Sequence, residues 1–200
     1  MSSDPYYSQC QQDEFVDILL GGKRNGVFVD IGCYDPVHMS NSYFFEKQRD
    51  WNGLAIDRDD YKVRYETVRP NTIFRQFDLT ALSVEELFGV LCNHQLQHVD
   101  YLSVDCDEAS TDALATFPFE HIHPHVITIE HDAYRFGDRL RKVQRKILGL
   151  LGYRLFASDV LYVNTCPFED WWISNELSIP GFFKSLPHSE IINSLRNATR

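Results

Sequence analysis

Apolar runs of five or six residues alternate along the chain with longer segments of helical period. The runs at 27–31, 53–57, 72–77, 99–104 and 125–129 are rich in β-branched and aromatic residues, and several lack the polar alternation of a half-exposed strand. Such runs are expected of parallel strands covered on both faces. Between them, 41–50, 60–68, 84–93 and 108–116 carry apolar residues at helical spacing, and Ser83 ahead of Glu85 and Glu86 is placed to cap the third. This β-α order predicts a doubly wound sheet with right-handed crossovers and helices on both faces. Residues 12–20 predict a docking helix before the sheet, and 137–151 a helix after it. Beyond that, 153–157 and 160–163 read as two strands separated only by Ser158 and Asp159. A connection that short makes them an antiparallel hairpin. The tail from Pro167, with Trp171, Trp172, Phe182 and Phe183, reads as aromatic and irregular.

With 200 residues and 44% hydrophobic side chains, the chain is expected to form a single domain. Its parts would be the docking helix within 1–25, a core over 26–165 and the tail over 166–200. No apolar run reaches membrane-spanning length, and the sequence from Met1 to Pro5 lacks a secretory pattern, so a soluble, cytoplasmic protein is expected. The formal charge of -10 opposes attraction to a phosphate backbone, which argues against nucleic acid as partner. The basic stretch Arg139, Arg141, Lys142, Arg145 and Lys146 reads as a solvated helix face. Five widely spaced cysteines without a C-x-x-C pair read as reduced thiols.

In open α/β sheets ligands bind beyond the carboxyl ends of the strands, where strand order reverses. The first such loop reads Asp30-Ile31-Gly32-Cys33-Tyr34-Asp35-Pro36. It lacks the G-x-G-x-x-G that lets a pyrophosphate nest on bare backbone N–H groups, which disfavours a nicotinamide-dependent oxidoreductase. Carboxylates at Asp30 and Asp35 suit a ligand bearing an ammonium and a sulfonium, such as S-adenosylmethionine. Asp57, ending the second strand, can accept from both hydroxyls of a ribose, although Arg58 beside it could instead meet a 2'-phosphate. Asp78 closes the third strand where an adenine amino group would arrive.

The runs at 7–15, 26–35, 40–47 and 51–57, continued at 99–105 and 126–131, together resemble the FkbM-type methyltransferases over about residues 6 to 165. The resemblance implies a Rossmann-like methyltransferase fold, with a mostly parallel seven-stranded sheet ending in an antiparallel C-terminal hairpin. It also implies S-adenosylmethionine as methyl donor and O-methylation of a sugar, glycan or other small hydroxylated acceptor. Tyr34, Ser40, Asn41, Arg58, Leu79 and Asp105 join the aspartates as cofactor positions under the same resemblance. Two departures stand out: Pro36 where the family has a second glycine, and Asp105-Cys106-Asp107-Glu108-Ala109 where it has Asp-x-Glu-Gly. They leave room for a second reading, a catalytically degenerate binding or assembly module.

For a hydroxyl nucleophile, His131 is the candidate base, oriented by Glu130, with Asp105 or Asp107 across the cleft. Asp105, Asp107, Glu130 and His131 are also a donor set for a divalent cation. His121, His123 and His125 alternate along one segment, but with no cysteine or acid at ligand spacing they read as a loop entering the fifth strand.

Overall fold

A computed structural model describes residues 6–78, 81–163 and 165–178. Seven strands are present, β1 (Val27–Ile31), β2 (Asn52–Asp57), β3 (Thr72–Gln76), β4 (Tyr101–Val104), β5 (Val126–Glu130), β6 (Tyr153–Tyr162) and β7 (Cys166–Ser174). The helices are α1 (Gln12–Leu19), α2 (Tyr43–Arg49), α3 (Lys62–Val68), α4 (Val84–Asn93), α5 (Ser110–Thr116), α6 (Ala133–Phe136) and α7 (Asp138–Leu150). The strands form one sheet in the order β3-β2-β1-β4-β5-β7-β6, with β1 to β5 parallel and β7 antiparallel to both neighbours. No described helix is long and apolar enough to cross a membrane.

Period-two alternation sends neighbouring strand residues to opposite faces, and both faces are covered. Val29 and Ile31 pack in the cluster that includes Leu87, Leu91 and Leu148, whereas Phe28 packs with Phe15, Phe44, Trp51 and Trp171 on the other side. Burial of both faces explains the unbroken apolar runs. At α4, Ser83 and Glu86 exchange bonds with each other's backbone N–H in a capping box. The docking helix α1 sets Phe15 parallel to Trp171 with centroids 4.2 Å apart, and Asp17 takes the Arg49 guanidinium in a fork that fastens α1 to α2.

The terminal hairpin differs from expectation. Residues 153–162 form one long strand, and its partner is 166–174, the segment whose sequence reads as an irregular tail. Ser158-Asp159 is an irregularity inside β6, where the register shifts and Asp159 adopts φ 55°. Its N–H goes to the Asp170 carboxylate at 2.9 Å across the strand pair. Turns and bulges both use short polar residues at positive φ, so the dipeptide looks alike in either role. Trp171 and Trp172 therefore sit in the sheet between β5 and β6, while Phe182 and Phe183 lie outside the described residues.

On β7, Glu169 is buried and accepts from Trp171 Nε1 at 2.6 Å. Burial, reinforced by the Asp105 charge, pushes its carboxyl up to about 8 from an ordinary 4.5. A carboxyl raised on folding stabilises below its unfolded value, and that stability is lost as pH rises through the folded value. Between pH 5 and 8 the wild type should lose up to about 1.4 kcal/mol per pH unit relative to Glu169→Gln. Urea unfolding of both proteins at pH 5 and pH 8 measures this, and parallel pH profiles would contradict it.

Candidate active site

Strand order reverses between β1 and β4, and the loops leaving β1 to β5 surround a cleft of about 940 Å³ at that point. Gly32 makes the turn out of β1 at φ +82°, where an added Cβ would lie 1.7 Å from the Asp105 carbonyl oxygen. The β1 and β4 loops are thus in backbone contact, with no room between them for a side chain. The Asp57 carboxylate, ending β2, accepts from the Tyr34 N–H at 2.9 Å and the Asp59 N–H at 3.0 Å, fixing both it and the β1 loop. Tyr34, Met39, Asp107 and Asp132 line the cleft with positive φ, a concentration of backbone strain of the kind found at ligand sites.

Asp30 enters the cleft floor from β1 and takes the Ser42 hydroxyl at 2.5 Å. Burial raises its proton affinity, which Ser42 and Arg69 counteract. Arg69, buried at the end of α3, reaches Ser42 with both terminal nitrogens at 3.1 Å and Glu46 Oε2 with Nε at 3.1 Å. Nearby, Asn41 gives its Nδ2 to Ser103 at 2.9 Å, while its Oδ1 is buried with no protein partner.

Across the cleft, the carboxyls of Asp105 and Glu130 lie close enough to couple electrostatically. Burial raises both carboxyls, and the Asp105 charge raises Glu130 further, so the pair retains a proton at neutral pH. Glu130 Oε2 also accepts from the Asp107 N–H at 2.5 Å. Asp107, Glu130 and Asp132 bring one oxygen each within 4.8 Å of one another. The guanidinium of Arg135 bridges this group, 2.6 Å from Asp107 and 2.8 Å from Asp132, while the other Asp132 oxygen is buried without a partner.

No family profile matches the chain, and no curated protein does. Among solved structures it superposes on a proposed O-methyltransferase from Klebsiella pneumoniae with TM-score 0.59 at 12% identity, over 88% of this chain and 83% of that one. The O-methyltransferase from Bacillus cereus in complex with SAH matches with TM-score 0.56 at 11% identity, over 86% and 84%. A proposed rRNA methylase from Clostridium thermocellum matches with TM-score 0.55 at 13% identity, over 85% and 96%. The fold is that of the Rossmann-like methyltransferases.

Within this methyltransferase fold, Asp30, Gly32, Tyr34, Asn41, Asp57, Arg58, Asp78, Asp105, Asp107 and Glu130 all line the cleft. Asp35 and Ser40 do not. Asp35 folds the β1 loop by accepting from the Val37 and His38 N–H groups at 2.9 Å and pairs with Arg64, and Ser40 accepts from the Tyr43 N–H at the start of α2. Leu79 lies outside the described residues.

His131 lies further from its expected place. It is fully buried on the opposite side of the β5 end from the cleft lining, with Nδ1 accepting from the Ala133 N–H and Nε2 facing Asp159 and Asp170 at 3.6 to 3.7 Å. β5 ends at Glu130, and His131 and Asp132 both give their N–H to the Phe168 carbonyl as Asp132 turns to φ 46°, so Glu130 and Asp132 line the cleft and the residue between them does not. Neither His131 nor Asp105 therefore belongs to the group whose ligand atoms cluster here, and Asp132, two residues after Glu130, joins Asp107 and Glu130 in it. The basic helix is less solvated than its composition suggests, because Arg145 holds the buried Asp170 in a fork at 2.7 and 2.8 Å. Tyr134, Arg135 and Phe136 of α6 also line the cleft, and nothing in their sequence marks them for it.

Proposed function

We propose that this chain is an S-adenosylmethionine-dependent methyltransferase that methylates a hydroxyl of a sugar or other small hydroxylated acceptor. The observation that carries the reading is the charge of the cleft. Nine lining side chains are acidic and two, Arg58 and Arg135, are basic, which suits a cationic ligand and opposes a pyrophosphate. The unpartnered Asn41 Oδ1 adds a buried acceptor for an ammonium donor. In this assignment Asp30 and Asn41 hold the amino-acid end, the Gly32 backbone lies against the thioether, Asp57 takes the ribose hydroxyls and Asp78 the adenine. When bound, S-adenosylmethionine supplies a methyl group activated by the sulfonium.

The protein's own contribution is alignment, worth on the order of 7 to 11 kcal/mol, with proton removal as the smaller share. With His131 turned away, the Asp105–Glu130 pair becomes the proton acceptor, its raised proton affinity bringing it closer to the operating pH than an ordinary carboxylate. A divalent cation at this end would meet Asp107, Glu130 and Asp132 and would have to displace Arg135. The bridge made by Arg135 is also what favours the second reading, a module that binds cofactor without turning it over.

Calorimetric titration with S-adenosylmethionine and S-adenosylhomocysteine tests the assignment. Micromolar binding is expected, and Asp57→Ala should weaken it by about 2 kcal/mol or more, a factor of roughly 30, without unfolding the domain. Absence of binding by both compounds would remove the assignment. Binding without methyl transfer to any hydroxylated acceptor would select the second reading.

A further inference from the structure

The amino-terminal edge of the sheet, opposite the cleft, carries a separate cluster of side chains. Asp100 directly precedes β4 and is buried. Its Oδ2 accepts from the Val27 N–H at 3.0 Å, while its Oδ1 meets Lys23 Nζ at 2.6 Å and His125 Nδ1 at 3.0 Å. His98 Nε2 lies 3.9 Å from the same oxygen, and the two imidazoles stand at 80° with centroids 5.5 Å apart. One donor atom from each of His98, Asp100 and His125 thus lies within 4.8 Å of the other two. In sequence the alternating histidines lack an acid at ligand spacing. The fold separates them, sending His121 to stack on Phe88, and supplies to His125 both an acid and a second imidazole from the segment before β4.

We propose that His98 Nε2, Asp100 Oδ1 and His125 Nδ1 form a zinc site that clamps the chain entering β4 to the chain entering β5. Zinc bonds nitrogen and carboxylate oxygen at about 2.0–2.2 Å, which puts tetrahedral donors about 3.4 Å apart. The observed 3.0 and 3.9 Å lie on either side of that spacing. The adjustment falls on His98, whose side chain is 75% exposed, while the Asp100 carboxylate is already oriented by the Val27 N–H, which donates to its other oxygen, Oδ2. Two imidazoles with one carboxylate favour zinc over magnesium or calcium, which take oxygen donors. Water completes the fourth position. In the metal-free chain the Lys23 ammonium neutralises Asp100; zinc replaces it there, and the partly exposed lysine swings into solvent. Protonated imidazole cannot ligate, so binding weakens at acid pH.

The test is calorimetric titration of the full chain with zinc chloride at neutral pH, repeated for His98→Ala and Lys23→Met. One zinc per chain is expected. His98→Ala should lose at least about tenfold in affinity, since even groups that merely orient metal ligands are worth 10- to 100-fold. Lys23→Met should bind several-fold more tightly because the competing cation is gone. Both positions are exposed enough to change without unfolding the chain, which melting in EDTA verifies. The site is refuted by absence of zinc binding, by zinc that binds His98→Ala as well as wild type, as it would on the free thiols or the cleft carboxylates, or by a Lys23→Met variant that binds no more tightly. None of these outcomes bears on methyl transfer.

Discussion

Replacing Gly32 by alanine is expected to destabilise the protein by about 2–6 kcal/mol and to abolish cofactor binding. Two costs combine. At φ +82° an L-residue carries backbone strain of roughly 1–3 kcal/mol, and the methyl would stand 1.7 Å from the Asp105 carbonyl oxygen. That neighbour is backbone at the end of β4 and cannot swing aside as a side chain would, so the β1 and β4 loops must part, at a further cost of about 1–3 kcal/mol. Parting them moves Asp30, Asp57 and Asp105 away from one another, because the Asp57 carboxylate is tied to the same loop through Tyr34. Gly149→Ala is the internal control. It lies in α7 with nothing within 4 Å of an added Cβ, so helix propensity should stabilise it by about 0.5–1 kcal/mol. Urea unfolding of both variants, with titration of S-adenosylhomocysteine, checks the pair. A loss below about 1 kcal/mol at Gly32 would mean that the two loops are not in backbone contact.

Much of the architecture was legible because burial on both faces leaves an unbroken apolar signature. β1, β2 and β3 fall within a residue of their apolar runs, and the switch-point loop lies where strand order places it. The carboxylates of the cofactor end follow from that, since Asp30, Asp57 and Asp105 sit at or next to the carboxyl ends of β1, β2 and β4, on the rim where the cleft opens. What the sequence does not carry is the partner of each group. Asp35 follows β1 and Asp57 ends β2, and both accept backbone N–H groups, yet only Asp57 lines the cleft. His131 and Asp132 are adjacent, and only the left-handed turn at Asp132, just past the end of β5, puts Asp132 on the cleft while His131 stays buried away from it. Ser158-Asp159 resembles a turn until the Asp170 carboxylate across the pair takes the Asp159 N–H. The sequence likewise gives no hint that Arg69 is fully buried, because its neighbours come from 23 to 29 positions away in the β1–α2 segment.

Arg69→Met is expected to cost about 3–5 kcal/mol, the usual penalty for removing one partner of a buried ion pair. The guanidinium is enclosed, bonded to Glu46 and Ser42, and stacked within 5.2 and 5.3 Å of the Phe28 and Tyr65 rings. Methionine fills the aliphatic space but removes the cation nearest Asp30 and leaves Glu46 with only the partly exposed Lys47, 3.2 Å from its other oxygen. Arg69→Lys should recover little, because an ammonium cannot reach Glu46 and Ser42 together in the planar fork these bonds use. Adding Glu46→Gln to Arg69→Met should restore part of the loss by removing the stranded charge, a recovery that simple loss of packing would not give. The effect also reaches the cleft. Ser42 both accepts from Arg69 and donates to Asp30, so losing the arginine frees the hydroxyl to rotate and releases the carboxylate on the cleft floor. Cofactor affinity should therefore fall even where Arg69→Met remains folded. Burial already favours protonation of Asp30, and without Arg69 that tendency grows, so the variant's stability should rise more steeply than the wild type's between pH 7 and pH 5. Equal slopes in denaturant titrations at those two pH values would show that Asp30 does not depend on Arg69 for its charge.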